Sequence, residues 1–316
     1  MSKVRILQVG SINQYVDDQL NQNYEVLRLW EQADKPAYIK SRGADIRGVV
    51  TTARFGFDAA WLDAMPKLEA VSSFGVGYDT IDVNALHQKN IQFGNTPDVL
   101  NDCVADMAMT LLLGSARKLV AADRFVREGS WASGKAFPLA ASVAGKKLGI
   151  VGLGKIGVAV ATRAAGFGMD IRYHNPRKKD ASPYAYEASL PALAQWSDFL
   201  VLTCPGGAAT HHLISREILE ALGKKGTLIN VARGSVVDER ALVDALSNGM
   251  LGAAALDVFE DEPRAPAELF SLDNVVLAPH IASGTAETRL KMAQLTLDNL
   301  DNYFKHGSVL TPVLKK

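Results

Sequence analysis

Three residues whose types could do chemistry stand at the ends of three short apolar runs in the second half of the chain. Arg233 follows "LINVA", Glu262 follows "ALDVFED", and His280 closes "VVLAPH". An arginine can clamp a carboxylate through paired hydrogen bonds and polarise a neighbouring carbonyl. A histidine can deliver the proton that accompanies a hydride, and a carboxylate beside it favours the protonated ring. Together the three fit reduction of a 2-oxo acid to a 2-hydroxy acid, with no metal required. Taken singly, each has a plainer reading. Arg233 could cap a helix, Glu262 could be one more solvated acid of the "EDEP" loop, as Glu260 and Asp261 are expected to be, and His280 could be a hydrogen-bonded buried ring. Their joint placement at three successive strand ends favours an active site. The other histidines lack that placement: His87 and His306 read as surface residues, and His211 and His212 as structural hydrogen-bonding partners in a loop before a helix. Cys204 reads as a packed thiol with no base beside it.

A hydride needs a donor, and the stretch from 152 to 157 supplies a place for one. Gly152, Gly154 and Gly157 form G-x-G-x-x-G between the strand-like "KLGIV" and the helix-like "KIGVAVATRAAGF". In that order the glycines mark a dinucleotide loop: the first for a tight turn, the second for close approach of the pyrophosphate, the third for helix–strand packing. Leu153, Lys155 and Ile156 complete the loop, and the pyrophosphate is expected on the positive end of the helix. The residues of a P-loop, Lys then Ser or Thr after the last glycine, are missing.

About twenty residues further on, such loops usually meet an acid that holds the adenosine ribose. Asp170 lies at the start of the strand "MDIRYHN", and the ribose belongs at its other end, roughly 16 Å away. At that end stand the neutral Asn175 and then Arg177, Lys178 and Lys179. A carboxylate there would repel a 2′-phosphate; a guanidinium can grip one. The expected cofactor is NADPH, with NADH a poorer substitute.

The elements that must position these residues follow from short Val/Ile/Leu runs alternating with helix-length segments. "VRILQVG", "YEVLRLW", "IRGVVTT", "LEAVSSF" and "IQFGN" form one set of candidate strands. "KLGIVGLG", "MDIRYHN", "DFLVLTC", "GTLINVA", "GAAALDVF" and "NVVLAPH" form a second set of six. Near-continuous apolar strands separated by helices indicate parallel sheets covered on both faces. The fold class is therefore α/β, with two doubly wound parallel-sheet domains, a flavodoxin-like substrate domain and a Rossmann dinucleotide-binding domain, and a cleft between them. One long helical stretch, about 101 to 129, with Asp98 or Asn101 as its cap, separates the sets. The last helix carries Leu290, Ala293, Leu297, Leu300 and Phe304 at helical spacing and is expected to return to the first domain. The expected boundaries are 1–99 for the first segment of the substrate domain, 100–285 for the dinucleotide domain, and 286–316 for the returning helix.

Composition limits the partners. The 316 residues carry 34 Lys plus Arg against 34 Asp plus Glu, with 48% apolar and 22% charged residues. A neutral chain has no overall field to draw nucleic acid or an anionic membrane. No apolar run approaches a membrane span, and the start, "MSKVRILQVG", reads as a strand with no signal peptide. Cys103 and Cys204 have no metal-ligand spacing and suit a reducing cytoplasm.

The motifs "VGLGKIG", "LINVARGSVVDERAL", "AALDVFEDEP" and "VVLAPHIASGT", with "SSFGVGYDTID" and "NTPDVLNDCVADMAM" in the first half, resemble the D-isomer-specific 2-hydroxyacid dehydrogenases. The resemblance covers nearly the whole chain and is nearest to the glyoxylate/hydroxypyruvate reductases and the plant-type hydroxyphenylpyruvate reductases. It implies that Arg233 binds and polarises the 2-oxo acid and that Glu262 pairs with His280, the acid/base. The loop Phe74, Gly75, Val76, Gly77 would offer backbone N–H groups to the substrate carboxylate. Asp257 would meet the nicotinamide carboxamide, Val231 and Ala232 the nicotinamide ribose, and Thr203, Cys204 and Pro205 the adenosine side. Val104 would approach the nicotinamide, and Ser283 with Gly284 would close the site beside His280.

One departure stands out: Pro176 occupies the place where NADPH-using relatives often carry Arg, and Arg177 comes one later. The resemblance also implies a homodimer with the helix near 101–129 at the two-fold. Trp131 is read as either a core anchor or an interface residue, since in similar reductases a tryptophan in this region reaches the partner subunit's site. "TTARFGF" (51–57) is expected to line the side-chain pocket, with Arg54 or Phe55 choosing among 2-oxo acids. Alternatives are a hydroxyphenylpyruvate or 2-ketogluconate-type reductase, a formate-oxidising relative, which Glu262 argues against, a purely structural scaffold, and a non-catalytic dinucleotide-sensing corepressor.

Overall fold

The computed structural model describes residues 3–314. Within them the chain divides into two compact units: residues up to Leu100 together with those from Thr285 onward, and Asn101–Gly284.

The first unit is built on five parallel strands, β1 (Arg5–Gln8), β2 (Glu25–Arg28), β3 (Gly48–Thr51), β4 (Ala70–Ser73) and β5 (Gln92–Gly94), in the order β2-β1-β3-β4-β5. That is the flavodoxin-like doubly wound order. Ile6, Leu7, Val49, Val50, Ala70 and Val71 are wholly buried, as strands covered on both faces require. The helix Ala286–His306 starts at Thr285, whose hydroxyl caps the Thr288 N–H, and stops at Gly307 in the left-handed region. It packs on β4 and on the helix Gln14–Asn23. The Ser72 hydroxyl donates to the Thr296 carbonyl (2.8 Å), and the Asn299 amide donates to the Asn95 carbonyl (3.1 Å). Met292, Ala293, Thr296, Leu297 and Leu300 face inward; burial of each large apolar side chain contributes about 1.5–3 kcal/mol. Leu290, expected on that face, is 54% exposed. At 3.6 residues per turn it falls roughly 100° from the centre of the buried stripe.

The second unit holds seven parallel strands: β6 (Lys147–Val151), β7 (Asp170–His174), β8 (Ala185–Tyr186), β9 (Phe199–Leu202), β10 (Thr227–Asn230), β11 (Ala253–Leu256) and β12 (Val275–Leu277). Their order is β12-β11-β10-β9-β6-β7-β8, the Rossmann order with one strand added beyond the usual six. Strand β8, only two residues long, is the one the sequence does not announce. The order reverses between β6 and β9, the switch point at which such sheets bind ligands beyond their carboxyl ends.

The helical stretch expected to run unbroken from about 101 to 129 is two helices, Asn101–Ala116 and Leu119–Arg127, interrupted at Lys118, whose φ is 53°. The first packs on β10, β11 and the helix Lys155–Ala165. The second buries none of its side chains: Leu119, Val120 and Val126 are each at least half exposed. Trp131 is 69% exposed, which removes the core-anchor alternative.

Candidate active site

Every element of the expected dinucleotide site and of the Arg–Glu–His set lies in the second unit. The glycine loop leaves the end of β6, where Val151 is in register with His174 of β7 on one side and Leu202 of β9 on the other. Gly152 has φ of 98°, and a Cβ there would lie 2.5 Å from the Cys204 backbone nitrogen. Only glycine adopts that turn at that approach without strain. A Cβ on Gly157 would lie 2.4 Å from the Gly152 carbonyl oxygen, whereas one on Gly154 meets nothing within 4 Å. The outer glycines thus close helix on strand and loop on loop. The middle one faces open space, the cradle a pyrophosphate requires. The helix Lys155–Ala165 begins there with no side-chain cap. Among the described residues the Ile156 and Gly157 N–H groups have no partner, so the positive end of the helix is presented to an anion.

The residues expected at the ribose lie at the end of β7 that is beside the glycine loop. Strand β7 opens at Asp170, in register with Lys147 at the far end of β6, so Asp170 lies at the wrong edge. Asn175 is pinned beside the glycine loop: its side-chain oxygen accepts the Leu153 N–H (2.7 Å), and its carbonyl accepts the Tyr186 hydroxyl (3.1 Å). Arg177 and Lys178 are exposed and, among the described residues, bonded to no acid. Across the switch point the Thr203 hydroxyl donates to the Gly152 carbonyl (2.7 Å). Cys204 is buried, and burial pushes its thiol up to about 11, which suits a packed thiol and rules out a ready nucleophile. Pro205 is exposed, while Val231, Ala232 and Val104 are buried.

The three candidate chemical groups come from adjacent strands. Asn230, Leu256 and Leu277 are in register across β10, β11 and β12, so the loops that follow emerge along one edge. Arg233 follows β10. The Asn230 amide donates to the Arg233 carbonyl (2.9 Å), and its oxygen accepts the Ala232 N–H (3.0 Å), fixing the loop through a side chain that is 1% exposed. Gly234 locks it further: a Cβ there would lie 1.9 Å from the Phe259 carbonyl carbon. No residue but glycine fits, and the loop carrying Arg233 lies flat against the one carrying Glu262. Sequence reading passes over both Asn230 and Gly234, although "NVARG" places them on either side of the arginine.

Glu262 and His280 meet. Glu262 Oε2 lies 2.7 Å from His280 Nδ1, and Oε1 accepts the Phe259 N–H (3.2 Å). With Nδ1 so engaged, Nε2 has no partner among the described residues, and the imidazole is 45% exposed. Burial pushes the Glu262 carboxyl up, but the hydrogen bond and charge of His280, the Phe259 N–H and the charge of Arg233 outweigh it, leaving its pKa below the ordinary value. A depressed carboxyl stabilises the fold at pH above the unfolded value of about 4.3 and loses that contribution as pH falls through the folded value. The melting temperature of Glu262→Gln is therefore expected to lag the parent most near neutral pH and to converge with it in acid. A gap that stays constant down to pH 3 contradicts this.

His280 itself has φ of 53°, a conformation uncommon outside glycine. Asp257 holds it there. The His280 N–H donates to the Asp257 carbonyl (2.7 Å), and the two Asp257 carboxylate oxygens accept the Ile281 and Ala282 N–H groups, each at 2.8 Å. Asp257 is wholly buried, and burial raises its pKa. Within the described residues it pins the histidine turn, a task sequence reading does not assign it. Ser283 follows in the same turn and is half-buried.

In the first unit, the loop Phe74–Gly77 leaves the end of β4. The Phe74 N–H donates to the Thr51 carbonyl (2.8 Å) and the Gly75 N–H to the Thr96 hydroxyl (3.0 Å). Of the four N–H groups expected to face a carboxylate, those of Val76 and Gly77 are the two without a partner among the described residues. Arg54, Phe55, Phe57, Trp61 and Thr80 line an open recess of about 270 Å³ in the same unit.

Known proteins share this chain's sequence pattern and fold. Residues 109–282 match the family described as D-isomer specific 2-hydroxyacid dehydrogenase, NAD binding domain. Glyoxylate/hydroxypyruvate reductase A of Arabidopsis thaliana is 45% identical over 314 residues, 99% of this chain and 100% of its own. Hydroxyphenylpyruvate reductase of Plectranthus scutellarioides is 45% identical with the same coverage. Among solved structures, an NADPH-dependent glyoxylate/hydroxypyruvate reductase of Sinorhizobium meliloti, in complex with NADP and malonate, superposes with a TM-score of 0.93. It is 43% identical, with 99% of this chain and 97% of that one covered.

A Rossmann unit with this loop and these relatives defines an NAD(P)-dependent oxidoreductase acting on 2-hydroxy acids. The chain belongs to the D-isomer-specific 2-hydroxyacid dehydrogenase family.

Proposed function

We propose that the chain is an NADPH-preferring reductase that converts glyoxylate and hydroxypyruvate to the corresponding 2-hydroxy acids, of D configuration where the product is chiral. The observation that carries the chemistry is the 2.7 Å pair of Glu262 with His280 on the edge that also bears Arg233. When bound, the reduced nicotinamide supplies the hydride. Arg233 holds the substrate carboxylate and draws charge from the carbonyl. His280 Nε2 gives its proton to the carbonyl oxygen, and Glu262 keeps the ring oriented and stabilises its charge. Val76 and Gly77 are assigned to the substrate carboxylate, as the family pattern implies. Asp257, Val231, Ala232, Ser283 and Val104 are assigned to the nicotinamide side, and Thr203, Cys204 and Pro205 to the adenosine side.

The cofactor preference rests on the neutral Asn175 and the two unpaired cations after it. Arg177→Ala is expected to raise the Michaelis constant for NADPH at least tenfold, the scale of one charge-assisted pair, and to leave that for NADH nearly unchanged. Equal effects on both cofactors refute the phosphate grip. Absorbance at 340 nm, followed with glyoxylate, hydroxypyruvate, an aromatic pyruvate and 2-ketogluconate in turn, tests the substrate. Oxidation-state change with none of the four removes the proposal.

A homodimer is the proposed assembly, with the exposed apolar face of Leu119–Arg127 and Trp131 against a second copy. The two free cysteines suit a reducing cytoplasm. No helix among the described residues is long and apolar enough to cross a membrane.

A further inference from the structure

The reaction leaves one cluster of chemistry-bearing side chains unused. His211 and His212 lie in the loop after β9, and Glu260 lies in the loop after β11. We propose that these three residues form a binding site for one divalent transition-metal ion of the zinc class, using none of Arg233, Glu262 and His280 as ligands.

The local backbone makes the arrangement. Consecutive side chains of an extended segment point to opposite sides, yet the two rings stack, with centroids 3.9 Å apart and planes 24° from parallel. What turns the second ring onto the first is the left-handed backbone of His212, whose φ is 50°. The strained turn is held in place: the His212 N–H donates to the Ser235 carbonyl (2.8 Å), and the Thr210 hydroxyl donates to the Pro205 carbonyl (2.7 Å). On the facing loop the Glu260 N–H donates to the Glu239 carboxylate (3.2 Å).

One carboxylate oxygen then faces two imidazole nitrogens. Glu260 Oε1 lies 2.9 Å from His212 Nε2 and 3.8 Å from His211 Nε2. One ligand atom from each residue lies within 4.8 Å of the other two. The 2.9 Å contact is an ordinary hydrogen bond; the 3.8 Å contact is too long to be one. Zinc bonds of about 2.0–2.2 Å place tetrahedral ligand atoms roughly 3.3 Å apart, between the two observed separations. Rings only 24° from parallel do not aim both Nε2 lone pairs at one point, so binding needs one ring to turn by tens of degrees about its side-chain torsions, which side chains that are 36–55% exposed permit. Two imidazoles and one carboxylate select zinc, cobalt, nickel or copper over magnesium and calcium, which take oxygen ligands. The exposure leaves the fourth position to water and lets the ion enter from solution. Because Glu260 and Phe259 are neighbours, an ion here would tie the loop after β9 to the segment whose N–H orients Glu262.

The test uses the full-length protein, free of any affinity tag, stripped with a chelator and dialysed. Titration with cobalt(II) is expected to give the visible bands of a four-coordinate site, saturating at one equivalent and displaced by zinc(II) but not by magnesium(II). His211→Ala and Glu260→Gln are each expected to weaken cobalt binding at least tenfold, while far-ultraviolet circular dichroism stays that of the parent. Absence of one-equivalent saturation in the parent protein, displacement by magnesium, or unchanged affinity in both variants overturns the site. None of these readings depends on turnover, so they stand or fall independently of the proposed reaction.

Discussion

His280→Asn is expected to lower turnover of 2-oxo acid by about 10²- to 10⁴-fold, the range that loss of a positioned general acid produces, with cofactor affinity unchanged. Asparagine is the preferred replacement because it tolerates the left-handed backbone at residue 280 better than most side chains. The turn held by Asp257 through three hydrogen bonds then survives. His280→Ala should lose activity to a similar degree and some thermal stability besides, since alanine at positive φ is strained. The drop should fall on kcat and on kcat/KM together, as for an interaction made in the transition state. Turnover within a few-fold of the parent in a folded His280→Asn would remove the assigned acid.

Arg233→Gln should be nearly as damaging, through a different parameter. Loss of the guanidinium takes away the partner of the substrate carboxylate and the charge that stabilises the developing alkoxide. A fall in kcat of about 10²–10³ is the scale for one such donor, together with a rise in KM for the 2-oxo acid. Arg233→Lys should recover little, because an ammonium lacks the planar fork. The fold should be spared: Asn230 grips the main chain of Arg233 and its neighbour, and Gly234 is untouched. Steady-state kinetics with the substrate varied over a wide range separates the two parameters. A variant altered only in cofactor affinity would move Arg233 out of the role proposed for it.

The strands were legible because parallel strands buried on both faces are near-continuous apolar runs; all eleven expected from such runs are present. What escaped were features carried by single backbone angles or by contacts distant in sequence. Strand β8 is two residues among polar neighbours. The break at Lys118 has neither glycine nor proline to announce it. Leu290 has the right residue type at the wrong angle around its helix. The Glu262–His280 contact was inferred from position at strand ends, whereas the part Asp257 plays beneath the histidine turn needed coordinates. So did the meeting of His211 and His212 with Glu260, about fifty residues away, which sequence reading left in separate loops, with Glu260 in solvent.

The interleaved order of the two units has a consequence for biosynthesis. The unit that begins the chain lacks Ala286–His306, and with it the cover of β4, until everything from Asn101 to Gly284 has been translated. At ribosomal speeds that interval is on the order of ten seconds or more. During it an apolar sheet face has no native cover, while the second unit, contiguous in the chain, can condense unaided. A nascent chain arrested before residue 285 should accordingly show rapid protease cleavage within residues 1–100 and slow cleavage beyond, and the full-length protein should resist throughout. Equal resistance of both segments in the arrested chain would show that the early sheet closes without its last helix.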